Sequence, residues 1–420
     1  MQYLKIKGNT HLGGVAKIHG AKNSVLPILA STVLIKGESV IHKCPQLSDV
    51  QVTIDILKHL GAKVQRNNST LIVDTTSINN SYIPESLMQE MRSSIIFLGS
   101  LSSRTGKATM FLPGGCEIGL RPIDLHLKGL RQLGYSVCFD GHNITCTQNN
   151  IAGAKIVLPF PSVGATENIL LASVLAKGTT TIVNSAREPE IEDLANFLNK
   201  AGANIKGAGS TVITVCGVEQ LYGVEHTVIP DRILATTMMS ASAITNSPLV
   251  LDNICVPHLM PVIPVFDEMG CKISIDNNSL KINPSPQPKK VRRIKTMPYP
   301  GFPTDCQAPL MAVLTISKGT SIINETIFES RYKHISQLNR FGADISVHDK
   351  IAVINGVKAL HSTSAYCTDL RGGAAVIIAS LCAHGESTVY DIHHIDRGYE
   401  KIENQLSAIG ADIKRIKDEK

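Results

Sequence analysis

A short pattern, apolar-Gly-x-x-apolar at the end of a helix-like segment, returns along the chain at Gly61, Gly134, Gly202, Gly270, Gly342 and Gly410. The intervals are 73, 68, 68, 72 and 68 residues. Self-similarity at a fixed period means that one supersecondary unit is repeated, and each copy must bury its apolar face against its neighbours. Upstream of each glycine lies a polar turn: KGES at Lys36, TGKA at Thr105, KGTT at Lys177, TNSP at Thr245, KGTS at Lys318 and HGES at His384. Six copies of the unit therefore fill the chain. The third copy shows its content as strand (AKIVLP), helix (ATENILLASVLA), strand (TTTIVN), helix (IEDLANFLNKAG) and a two-strand hairpin (ANIKG, TVITV). Its helices carry apolar residues at i, i+3 and i+4, and its strands are β-branched. The marker glycine suits the left-handed position that ends a helix.

The last copy stops at ADIKRIKDEK, without the second strand of its hairpin. An open strand edge is costly, and Tyr3-Leu4-Lys5-Ile6 has the character of the missing strand, so the N-terminal strand is predicted to join the C-terminal copy. The six copies then divide into two domains of three, residues 22–229 and residues 1–21 plus 230–420, with two chain crossings between them. The expected site is the cleft between two such domains.

Composition narrows the function. Lys and Arg exceed Asp and Glu by 41 to 35, a net +6 that suits anionic small molecules as well as nucleic acid. Aromatic residues at 4% and the lack of Trp disfavour base-stacking surfaces and an RNA-binding repeat protein. The ten cysteines contain no CxxC pair and no zinc-type Cys/His spacing, so no structural metal is expected. MQYLKIKGNT lacks the layout of a secretory signal, and no uncharged apolar run reaches about 18 residues. The expectation is a cytoplasmic protein with reduced thiols and no membrane insertion.

Unusual polar residues gather at the junctions from strand into helix. The first junction carries Lys22-Asn23, Arg92, Ser162-Val163-Gly164, Asp231-Arg232, Thr304-Asp305 and Asp369 with Arg371. The second carries Asp49, Cys116 to Arg121, Arg187 to Glu190, His258, Glu329 to Arg331 and Asp396-Arg397. Helix N-termini present free N–H groups to anions, and Asp, Ser or Thr there also serve as plain caps. Capping does not explain Lys22, Arg92, Arg121, Arg331, Arg371 and Arg397, because a cation at a helix start opposes the dipole. Such a set builds a polyanion site. In LPGGCEIGLRP (112–122), Cys116 sits in a glycine-rich loop, unlike a cysteine of a packed core. Arg121 nearby favours its thiolate and closure over a dry site favours its thiol, so nucleophile and acid both stay open.

GAKNSVLPIL, MRSSI, LPGGCEIGLRPIDLH, SVGAT, AREPEIEDLANFL, PDRI, FPTDCQA, FESRYKHI, TDLR and HIDRGYEKI, in this order and spanning the chain, resemble the UDP-N-acetylglucosamine enolpyruvyl transferase family. The resemblance implies a two-domain inside-out α/β barrel built from six βαβαββ repeats, three per domain. It implies transfer of the enolpyruvyl group of phosphoenolpyruvate to the 3′-hydroxyl of UDP-N-acetylglucosamine, with phosphate released and no cofactor. By similarity Lys22, Arg121 and Arg397 hold the phosphate, and Arg371 and Arg397 face the carboxylate. Asn23 and Asp305 meet the sugar, with Asp305 as base for its hydroxyl. Cys116 protonates the methylene carbon of phosphoenolpyruvate, can form a covalent adduct at its central carbon, and is the expected target of fosfomycin. Arg121, Pro122, Ile123, Asp124 and Leu125 contact uridine; Ser162, Val163 and Gly164 lie near the diphosphate; Arg92, Ile327 and Arg331 line the site.

The sister family acting on shikimate phosphate lacks the LPGGC loop. A catalytically silent paralogue would be expected to have lost Lys22, Cys116, Asp305 or Arg397, all of which are present. KKVRRIK (289–295) is read as a solvated strand face, His393-His394 as no metal pair, His126 as packing beneath the Cys loop, and Cys306 as a packing residue.

Overall fold

In a computed structural model, residues 2–112, 119 and 122–417 are described. The protein divides into two compact units, one made of the chain up to His19 with everything from Pro230 on, the other lying between Gly20 and Ile229. Among the described residues the strands form six four-stranded sheets of one repeated design. In the third copy, Lys155–Val157 runs parallel to Thr179–Val183, which pairs with Val212–Cys216 of the hairpin, and Asn204–Lys206 closes the edge. The strands alternate exposed and buried residues, as in Thr179–Val183, so one face of each sheet meets solvent.

The helices lie inside. Arg232–Ile244, Thr304–Leu314 and Leu370–Cys382 pack against one another within one unit, and Lys22–Ser31, Phe97–Thr105 and Val163–Ser173 make up the helical core of the other. Every residue of Arg232–Ile244 is buried. Its sequence, RILATTMMSASAI, tolerates this because small side chains let helices approach and the hydroxyls bond to their own helix. Thr236, Thr237 and Ser240 donate to the carbonyls of Arg232, Ile233 and Thr236 at 2.8, 2.9 and 2.9 Å. This is an inside-out α/β arrangement.

The strand Gln2–Lys7 occupies the place of the missing hairpin strand, between Glu386–Tyr390 and Asp412–Lys417. A second exchange accompanies it. Val15–Lys17 pairs with Leu249–Asp252 of the fourth copy, and Glu225–Thr227 pairs with Glu38–His42 of the first. All six marker glycines have positive φ, from 90° to 106°.

The repeat is less regular than the expected strand-helix-strand-helix order. In the fourth copy the second helix is split into Val256–Leu259 and Ile263–Glu268, with Pro261 between them and Pro264 in the first turn of the second piece. In the sixth it is split into His393–Asp396 and Ile402–Ala408 around Lys401, whose φ is 41°. In the second copy the first helix is preceded by Glu85–Met88 and a 3₁₀ stretch, Arg92–Ile96. In KKVRRIK, Val291 and Ile294 are buried while Lys289, Lys290, Arg292, Arg293 and Lys295 are exposed.

Candidate active site

In the unit between Gly20 and Ile229, Lys22 opens the helix Lys22–Ser31, where Ala21 supplies no side-chain cap. A buried ammonium at the positive end of a helix needs a counter-charge. Asp49, in the first turn of Ser48–His59 and 2% exposed, provides it at 2.8 Å. Two residues along, the hydroxyl of Ser24 donates to Asp193 in a short hydrogen bond. The same carboxylate accepts from the backbone N–H of Ile229 at 3.3 Å and pairs with Nε2 of His226 at 2.9 Å. This buried cluster fixes the start of the Lys22–Ser31 helix to the helix Pro189–Lys200 and to the strand Glu225–Thr227. Sequence reasoning named Asp49 without its partner and missed Asp193, although both lie in quoted or aligned segments.

Ser162 caps the helix Val163–Ser173 by accepting from the N–H of Ala165 at 3.3 Å. A Cβ on Gly164 would stand 3.1 Å from Cε1 of His126, so glycine is what lets the imidazole lie against this turn. The amide nitrogen of Asn168 donates to the carbonyl of Ile95 at 2.9 Å and to Nδ1 of His126 at 3.0 Å. His126 is thus a packing residue that also ties Asp124–Gln132 to the Ser162 turn and to the segment beginning at half-buried Arg92. Ile123 precedes Asp124–Gln132, Pro122 and Asp124 are exposed, and Asn23, Leu125, Val163 and Gly164 are half-buried. Cys116 and Arg121 lie outside the described residues.

In the other unit, Asp305 stands in the first turn of Thr304–Leu314 between two arginines that are each 3% exposed. Nη2 of Arg331 is 2.7 Å from Oδ1, and Nη2 of Arg371 is 3.2 Å from Oδ2. Arg371 enters Leu370–Cys382 just after its cap, Asp369, whose carboxylate accepts from the N–H groups of Arg371 and Gly372 at 3.0 and 3.1 Å. Burial alone would raise the pKa of Asp369, but Arg331 and these N–H groups hold it below the usual range. Burial alone would lower that of Arg371, but Asp305 and Tyr399, whose ring centroid lies 5.4 Å from the guanidinium carbon, raise it. Both guanidinium groups are held in a nearly dry setting.

Glu325, 1% exposed, is a site-building residue that sequence reasoning missed. Its carboxylate accepts from Thr296 Oγ1, Thr304 Oγ1 and the N–H groups of Ile327 and Phe328, at 2.8, 2.9, 2.8 and 3.2 Å. It thereby sets the half-buried Ile327 loop beside the helix that carries Asp305. Arg397 is half-buried, and its neighbour Gly398 fits so closely on Leu370 that a Cβ would stand 2.7 Å from Cδ2. Arg397 is therefore held near the start of the helix that carries Arg371. Cys306 is buried, and burial pushes its thiol up to about 12, which agrees with a packing role.

Comparison with known proteins gives this constellation a family. The chain is 49% identical over 416 residues to UDP-N-acetylglucosamine 1-carboxyvinyltransferase 2 of Caldanaerobacter subterraneus, with 99% of this chain and 100% of that protein covered. The chain belongs to the UDP-N-acetylglucosamine 1-carboxyvinyltransferase family. A family member from Finegoldia magna is 44% identical, with both chains fully covered. A broader family model, EPSP synthase (3-phosphoshikimate 1-carboxyvinyltransferase), matches residues 6–406.

Among solved structures, the enolpyruvyl transferase NikO from Streptomyces tendae superposes with a TM-score of 0.90 at 25% identity, covering 99% of this chain and 98% of that one. EPSP synthase from Acinetobacter baumannii, at 18% identity and a TM-score of 0.77 with 99% and 100% covered, shares the fold. As a carboxyvinyltransferase family member, the chain is a transferase. Of the predicted site residues, Lys22 pairs with Asp49 in one unit, and Asp305 with Arg331 and Arg371 in the other.

Proposed function

We propose that this carboxyvinyltransferase moves the enolpyruvyl group of phosphoenolpyruvate onto the 3′-hydroxyl of UDP-N-acetylglucosamine in the cytoplasm, releasing phosphate and committing the sugar to peptidoglycan synthesis. The observation that carries the reading is the carboxylate of Asp305 held by two buried arginines at a helix start, in a chain of this family. No cofactor is required by this chemistry. The sugar oxygen bonds to C2 of phosphoenolpyruvate while its proton passes to Asp305 and a proton from Cys116 reaches C3. The C2–O bond to phosphate then breaks, a proton leaves C3, and the double bond returns.

Lys22, Arg121 and Arg397 are assigned to the phosphate and Arg371 with Arg397 to the carboxylate, a use of the bidentate guanidinium fork. Asn23 is assigned to the sugar, residues 121–125 to uridine, Ser162, Val163 and Gly164 to the diphosphate, and Arg92, Ile327 and Arg331 to the lining.

The test is phosphate release from phosphoenolpyruvate with UDP-N-acetylglucosamine, with shikimate 3-phosphate or with no acceptor. Release with the UDP-sugar alone is expected. Release with shikimate 3-phosphate alone would establish the sister reaction, and none with either would point to a silent paralogue.

A further inference from the structure

We propose that Asp305 is the resident occupant of a carboxylate seat on Arg371, and that the substrate carboxylate takes this seat and so frees Asp305 for proton transfer. The inference rests on the enolpyruvyl-transfer reading and adds to it an order of events.

The contacts of Asp305 with the two arginines are unequal, 2.7 Å to Arg331 and 3.2 Å to Arg371, so the longer of this pair is the one given up. A carboxylate gains most from guanidinium through two parallel N–H bonds. Asp305 reaches Arg371 through Nη2, while Nε of Arg371 is buried and has no hydrogen-bond partner among the described residues. A ligand carboxylate laid along the Nε–Nη2 edge would make the second bond that Asp305 does not.

The partners also differ in freedom. The side chain of Arg371 is 3% exposed and lies against the ring of Tyr399, whereas that of Asp305 is 26% exposed, in the first turn of its helix. Arg371 is the fixed member and Asp305 the movable one.

Charge gives the same direction. Asp305, Asp369, Arg331 and Arg371 balance one another. A second carboxylate brought to Arg371 would stand beside the ionised Asp305 and repel it, while exchange removes that repulsion. Asp305, once off Arg371, loses one of the two cations that stabilise its ionised form and becomes a better proton acceptor.

Two anions competing for one seat oppose each other's binding, so removing the resident charge strengthens the ligand. Calorimetric titration of Asp305→Asn with phosphoenolpyruvate, without UDP-sugar, is expected to show binding about five- to fifty-fold tighter than in the unaltered protein. Inorganic phosphate, which has no carboxylate, should gain clearly less. In an Arg371→Lys background, which keeps the charge and removes the fork, Asp305→Asn should no longer strengthen phosphoenolpyruvate.

Unchanged or weaker phosphoenolpyruvate binding in Asp305→Asn would overturn the exchange. Equal tightening of inorganic phosphate would reduce it to a general charge effect and also overturn it. Should Asp305→Asn not fold, Asp305→Ser asks the same question. Phosphate release is measured separately: no release by the unaltered protein with any acceptor, beside the expected tightening, would fault the acceptor reading and leave the exchange standing. Normal release with no tightening would do the reverse.

Discussion

Burial separates reactive from inert side chains in this protein, and the cysteines show it most plainly. Desolvation raises the thiols of Cys146 and Cys271 to about 11 and those of Cys306 and Cys382 to about 12, so all four are protonated at neutral pH. Fosfomycin, which mimics phosphoenolpyruvate in charge, is expected to add one label, on Cys116 of the glycine-rich loop, and to add it faster with UDP-N-acetylglucosamine present. Intact-mass measurement with peptide mapping checks this, and a label on Cys306 would contradict it. His334 is fully buried, and burial lowers its pKa to about 4, with the Asp369 charge opposing and the Arg331 charge adding. The unfolded imidazole titrates near ~6.5, so between the two values the unfolded state binds the extra proton. The stability contributed is complete above pH ~6.5 and is lost as pH falls toward 4. Urea unfolding at pH 7.5 and 5 should show His334→Gln losing about 2 kcal/mol less than the unaltered protein over that interval. Parallel losses would mean that another group carries the pH dependence.

At the scale of the element, the helix-ending glycines turn a sequence marker into an energetic ranking. Gly134 has φ 96°, and an added Cβ would run into the carbonyl of Asn150; Gly202 has φ 106°, but its added Cβ would meet only the ring of Tyr222, at 3.4 Å. Both alanine variants carry the left-handed penalty of about 1 kcal/mol, and Gly134→Ala adds a backbone collision. Thermal unfolding should rank Gly134→Ala below Gly202→Ala, and the opposite order would show that the Asn150 turn yields freely. The glycines and the β-branched strands were legible in the sequence because each reports a local demand of the backbone. The split helices around Pro261 and Lys401 were not, since the repeat pattern suggested continuity and the local breaks override it. Glu325 escaped for a different reason: in INETIFES it reads as an ordinary surface acid, and only the fold brings four donors to its carboxylate. Asp305 was legible as a site residue, but its two arginines lie 26 and 66 residues away, and their convergence on it is a property of the helical core.

For the molecule as a whole, the exchanged strands decide which pieces can stand alone. The stretch 20–229 contains every strand of its three sheets, including Glu225–Thr227, which reaches back to Glu38–His42. Expressed by itself it should unfold cooperatively, and cutting it back to residue 224 should abolish that transition by stripping one sheet edge and removing His226 from Asp193. The stretch 230–420 lacks Gln2–Lys7 and Val15–Lys17, so it should not fold alone and should recover when residues 2–19 are fused to it. Circular dichroism melts distinguish these outcomes, and a cooperative melt of 230–420 alone would refute the argument. The placement of Gln2–Lys7 has one more consequence. Gln2 is paired with Lys417, so the first and last described residues face each other across a single ladder. A short linker across those rungs, with new ends opened at the turn after Lys206, would give a circularly permuted chain in which every sheet keeps its partners.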